Sequence, residues 1–236
     1  VLNTGSVTFI PRCNYGAYFN NKRRLNEEQD LNRIIERHPN PTNITEQQAD
    51  IIAIEIEKAD YLLDIHSMYT DNRVLSFADY PLDLSFNKAL GNKYIITGWP
   101  ELYKNNNEEN GTTQAYANRF NIPSSTIECG KDTGDASVVI AYKNIINALV
   151  FCGVLKSNYV DQIDDQIIVN MTETVIKEKK GEFTKEWDNL DKINANEVIA
   201  RYTDGSEIKF DHDVYIIMPN PKKNLETEKK WFYIGI

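Results

Sequence analysis

The stretch TEQQADIIAIEIEKADYLLDIHS, residues 45 to 67, restricts the fold more than any other part of this chain. Ala49, Ile52, Ile56 and Ala59 recur at spacings of three and four, which predicts an amphipathic helix capped by Thr45. DYLLDIH follows almost at once. It is short and apolar and it ends in polar residues, as a strand does where it leaves a sheet. A helix running straight into such a strand is the repeating unit of an α/β fold with a parallel sheet.

Asp64 and His66 lie two apart on that strand and share one of its faces. At the C-terminal end of a parallel strand, that face opens into the crevice where α/β sheets bind ligands. Two readings of His66 stand side by side. It is a buried imidazole satisfied by Asp64 or Ser67, or it is a zinc donor. One histidine does not make a zinc site, which takes three protein ligands.

The rest of the chain sorts around this unit. SVTFIP, residues 6 to 11, reads as a short strand closed by a proline, and a polar loop with one helical turn at LNRIIER follows. KYIITGW and SSTIECG read as further strands. A helix is expected from about Thr113 to before Pro123, and a longer one over DASVVIAYKNIINALVFCGVL. Near residue 160 the character changes to short alternating stretches punctuated by Gly181, Asp204–Gly205 and PNP. Two domains are therefore expected: an α/β domain over 1–160 and a small β-rich domain over 161–236.

Charge and composition exclude several functions. With 26 Lys and Arg against 35 Asp and Glu, the net charge is −9, which repels nucleic acid and anionic membranes. No stretch approaches the eighteen apolar residues of a membrane span, and the N-terminus has no signal-peptide pattern. Cys13, Cys129 and Cys152 form no CxxC pair, which points to a reducing, cytoplasmic setting.

The candidate chemistry lies in three short motifs. Glu128, in TIECG, ends a strand where a carboxylate needs a reason to be: a salt bridge or cap contact, or work as a general base. Asn32 and Arg33, in DLNR, are a carboxylate clamp or the start of a surface helix capped by Asp30. Arg119 is a substrate clamp or a solvent-facing helix residue. His38 and His212 read as structural.

In their order, DLNR, DIHS and TIECG, followed by a β module with ANEVIARYTDGSEI, resemble succinylglutamate desuccinylase and aspartoacylase, within the zinc carboxypeptidase-like hydrolases. The resemblance runs over essentially the whole chain. It implies a mixed sheet flanked by helices with a small, mostly-β C-terminal domain. It implies a zinc-dependent hydrolase that cleaves the amide bond of a small anionic N-acyl amino acid, a C–N bond other than a peptide bond. His66 then matches a zinc ligand, Glu128 the general base, and Asn32 and Arg33 the pair on the substrate carboxylate. Arg119 falls near the arginine at the scissile carbonyl, and Arg24 is a further substrate contact. A homo-oligomer is compatible with this reading. The family's first two zinc ligands come from an HxxE motif, and no HxxE occurs in these 236 residues. The expectation is a chain lacking the family's N-terminal segment. The alternatives are a non-catalytic binding protein on the same scaffold and a carboxypeptidase-like peptidase.

Overall fold

The helix expected before the histidine strand is present, but its cap lies two residues earlier. It spans Ile44–Ile56, and the Asn43 side chain accepts the Glu46 N–H at 2.9 Å. Glu46 in turn accepts the Thr42 N–H, so Thr45 is inside the helix, buried, with its hydroxyl on Glu28. The structure is a computed structural model. It describes residues 3–25, 28–68, 73–108, 110–131, 134–220 and 226–236.

In chain order the helices are α1 (Tyr15–Phe19), α2 (Ile44–Ile56), α3 (Leu84–Leu90), α4 (Trp99–Asn105), α5 (Thr113–Arg119) and α6 (Asp135–Phe151). The strands are β1 (Leu62–Met68), β2 (Leu75–Phe77), β3 (Tyr94–Thr97), β4 (Ser124–Lys131), β5 (Ile167–Ile176), β6 (Gly181–Phe183), β7 (Lys192–Ile193), β8 (Ala200–Tyr202), β9 (Glu207–Ile208), β10 (Val214–Ile217) and β11 (Lys230–Gly235). An eight-stranded mixed sheet runs in the order β1-β4-β2-β3-β5-β11-β10-β7, and β6-β8-β9 form a smaller antiparallel sheet.

The change of character near residue 160 is not a break in the main sheet. β5 pairs in parallel with β3, Tyr94 opposite Ile167, and carries the sheet into the C-terminal strands. The C-terminal residues keep a core of their own, with Trp187, Ile193, Ile199, Val214, Trp231 and Phe232 buried together.

β1 shows how the sheet is sandwiched. Leu62 faces the cluster of α2 and α5 with Ile52, Ile56, Tyr116 and Ala117, whereas Leu63 faces α3 and α6 with Phe86, Leu90 and Ala148. Asp64 and His66 continue the Leu62 face. β1 is also the last strand in its sheet, and Ile65 is 38% exposed there. On α6, Val138 and Val139 are 68% and 67% exposed.

SVTFIP does not become a strand. Residues 6–11 join no ladder, and Val7, Phe9 and Ile10 are exposed. A strand needs a neighbour to take its N–H and C=O groups, and none is present among the described residues. Nearby, the Asn3 N–H donates to Val154 O at 2.8 Å, and within the segment Ile10 O accepts from the Cys13 thiol at 3.4 Å.

Candidate active site

β1 and β4 pair in parallel with Asp64 opposite Thr126 and His66 opposite Glu128. Direct partners on neighbouring strands point to the same side, so the imidazole and the carboxylate stand next to each other on one face. Immediately beyond them the register slips: Met68 pairs with Lys131, one residue further along β4. The extra residue is absorbed where Gly130 takes φ 97°, a conformation that favours glycine. The glycine of TIECG therefore ends regular pairing just after Glu128. Cys129 points to the opposite face, and burial, with the nearby Glu128 charge, pushes its thiol up to about 12.

Asp64 organises the site. His66 Nε2 lies 3.0 Å from Asp64 Oδ2, and the Thr113 hydroxyl donates to the same oxygen at 2.5 Å. Burial alone would raise the Asp64 carboxyl. The charge of His66 and these two hydrogen bonds outweigh it and hold the group below its ordinary value. In return, the Asp64 charge pushes His66 up to about 9, with Glu128 adding to the effect.

The DLNR motif reaches the same point from the other side. Leu31–Arg33 form a single 3-10 turn capped by Asp30, which accepts the Asn32 N–H at 3.2 Å. Asn32 Oδ1 accepts the backbone N–H of Thr113 at 3.3 Å. That N–H is free to donate because it lies in the first turn of α5, where helical amides lack partners within the helix. One residue, Thr113, therefore joins Asn32 to Asp64 and so to His66. Gly111 holds the loop before it against Arg33. A Cβ at Gly111 would lie 1.9 Å from the Arg33 carbonyl oxygen, and the Ile35 N–H donates to Gly111 O at 3.0 Å.

The structure brings His66, Glu128 and Asn32 together, with Arg33 beside Asn32. It does not bring Arg119 to them. Arg119 is exposed in the last turn of α5, its guanidinium 5.4 Å from the Tyr116 ring centroid. Thr113 is at the other end of that helix, about 9 Å away along the axis. Arg24 is exposed, as is its neighbour Arg23, and it is Arg23 that pairs with Asp30. Arg23 Nε is 2.7 Å from Asp30 Oδ2, and its charge opposes protonation of His66. His38 Nε2 contacts Ile34 O at 2.9 Å, and His212 Nδ1 contacts Asp211 at 2.6 Å.

Among the described residues, no three His, Cys, Asp or Glu side chains are grouped to hold a metal ion. His66 offers one imidazole, already engaged by Asp64. The donor set present does not by itself fit zinc, which takes three protein ligands and a water.

No family model matches the chain, and no curated protein does. Solved structures do. The ectoine utilization protein EutE (DoeB) from Ruegeria pomeroyi, in its product-bound form, aligns with a TM-score of 0.78 at 20% identity. The match covers 94% of this chain and 72% of that one. This chain has the fold of the succinylglutamate desuccinylases and aspartoacylases. The succinylglutamatedesuccinylase/aspartoacylase from Rhodobacter sphaeroides gives 0.75 at 14% identity, over 95% of this chain and 73% of its own. The succinylglutamate desuccinylase from Silicibacter sp. TM1040 gives 0.73 at 20%, over 95% and 72%. The mixed sheet, the flanking helices and the small second sheet are thus those of the fold that these solved structures share. More than a quarter of each relative has no counterpart in the matched residues. No helix among the described residues is long and apolar enough to cross a membrane.

Proposed function

We propose that this site hydrolyses the amide bond of a small N-acyl amino acid. The observation that carries the reading is the register of β1 and β4, which sets Glu128 beside His66 on the face that Thr113 joins to Asn32. Asn32 and Arg33 hold the substrate carboxylate, the asparagine through its amide and the arginine through its planar fork. Glu128 takes a proton from the attacking water as the new C–O bond forms. It gives that proton to the amine nitrogen as the C–N bond breaks, leaving a carboxylate and a free amino acid. Asp64 fixes the imidazole of His66 and is itself fixed by Thr113. Arg119 and Arg24 have no part in this arrangement, whereas the charge of Arg23 acts on His66.

The resemblance implies zinc as cofactor, and His66 is the donor these residues offer to it. The other donors would come from outside the described set. Zinc content of the protein, followed by kinetics of Glu128→Gln on N-acyl amino acids, tests the reading. Loss of turnover with ligand binding retained supports it, and unchanged turnover removes Glu128 from the mechanism.

A second reading is a carboxylate-binding module without turnover, in keeping with the single imidazole that the described residues group at the site. It predicts binding of N-acyl amino acids through Arg33, with no hydrolysis at any zinc concentration.

A further inference from the structure

Arg33 is fixed by more than its own turn. Its Nη1 donates to the Asn32 carbonyl at 2.6 Å, and its Cζ lies 5.7 Å from the centroid of the Tyr103 ring. Tyr103 is almost fully buried, at 5% exposure, and Trp99 packs against both Tyr103 and Tyr233, with centroids 5.5 Å and 5.1 Å away. Lys230, from β11, also lies 5.7 Å from the Tyr103 centroid and is paired with Glu108 at 2.5 Å. The Glu108 N–H donates to Tyr103 O at 2.8 Å, which closes the arrangement. Trp99, Tyr103, Tyr233, Glu108 and Lys230 wall one small recess.

A guanidinium within about 6 Å of a ring centroid is attracted by the ring quadrupole, most strongly where water is excluded. Lys230 near the same ring is neutralised by Glu108, so it anchors the aromatic group without repelling Arg33 strongly. A long arginine that must meet a carboxylate in one geometry loses rotamer freedom on binding. A ring that already holds it removes part of that cost. We propose that Tyr103 is a positioning residue for Arg33, and that Lys230 and Glu108 tie this function to the C-terminal strand β11. The carboxylate subsite is then built by elements from both ends of the chain. The inference rests on the reading of Arg33 as the carboxylate-binding residue.

The test compares two probes, N-acetylglycine and its uncharged amide, N-acetylglycinamide, titrated into the full chain by NMR. Tyr103→Phe keeps the ring and Tyr103→Leu removes it. The expected result is a Kd for N-acetylglycine about three- to tenfold higher in the Leu variant, within the range of a cation–π contact. The Phe variant should match the parent, and the amide probe should bind all three alike. Equal weakening of both probes, or no weakening of either, overturns the proposal. Arg33→Ala separates the two levels: if it leaves N-acetylglycine binding unchanged, the reading of Arg33 itself fails. A second measurement needs no destabilising variant. The Nε–H signal of Arg33, assigned by its loss in Arg33→Lys, should carry a ring-current shift in the parent chain. A signal at the solvent-exposed arginine position overturns the proposal.

Discussion

Replacing Asp79 by Asn should stabilise this protein, and the gain should grow with pH. Asp79 follows β2, with its Oδ1 buried and without a hydrogen-bond partner. Burial, reinforced by the charges of Asp83 and Glu101, pushes its carboxyl up to about 8. An unfolded chain releases this proton near pH 4. Between those values the folded state holds a proton that the unfolded state has lost, so stability falls as pH rises from about 4 toward 8. From pH 4 to pH 7 this is about three pH units at about 1.4 kcal/mol each, or about 4 kcal/mol. Asn is close to the protonated carboxyl in shape and does not ionise. Urea unfolding of both proteins at pH 4, 5, 6, 7 and 8 measures the effect. The curves should converge near pH 4, with the variant more stable at pH 7. Asp83, which burial also raises, leaves a residual slope in the variant. Parallel curves across this range would refute the reasoning, because they would place the pH dependence elsewhere.

Three further outcomes follow from individual contacts. Thr113→Val removes a hydrogen bond to a charged carboxylate but keeps the N–H on Asn32, and should cost about 1.5–3 kcal/mol in thermal or urea unfolding. Gly111→Ala forces a methyl group into the Arg33 carbonyl and should destabilise by more than about 3 kcal/mol, with the Arg33 amide resonance shifted. Val138→Glu with Val139→Glu places charge on the exposed apolar face of α6, near the open edge of β1, and should lower self-association in light scattering without loss of thermal stability.

Much of this arrangement could be read from local pattern. The helix-to-strand unit at 45–67, the strands at Tyr94 and Ser124 and the long α6 follow from spacing and apolar runs, which are local properties. The resemblance carried by DLNR, DIHS and TIECG led to the architecture that the solved structures share. What the sequence did not show depends on contacts between distant residues. Thr113 joins Asp64 and Asn32 across 49 and 81 positions, and nothing local marks it beyond its place at a helix start. Arg23 and Arg24 are adjacent and alike in sequence, and only the fold turns Arg23 toward Asp30. SVTFIP has strand composition, but strand formation requires a neighbour that composition does not supply. The missed cap at Asn43 could not be read locally, because Asn43 with Glu46 and Thr45 with Gln48 have the same spacing, and only the contact of Asn43 with the Glu46 N–H separates them. The continuity of the main sheet past residue 160 was hidden because β5 pairs with β3 over more than seventy residues.

The most direct test of the central claim is a comparison of the zinc-loaded protein and its Glu128→Gln variant on a set of N-acyl amino acids, measuring amino acid released and ligand bound. The account predicts release by the parent and at least a hundredfold slower release by the variant, with the ligand still held through Arg33. Equal rates in the two proteins would contradict it, as would binding by the parent without any hydrolysis.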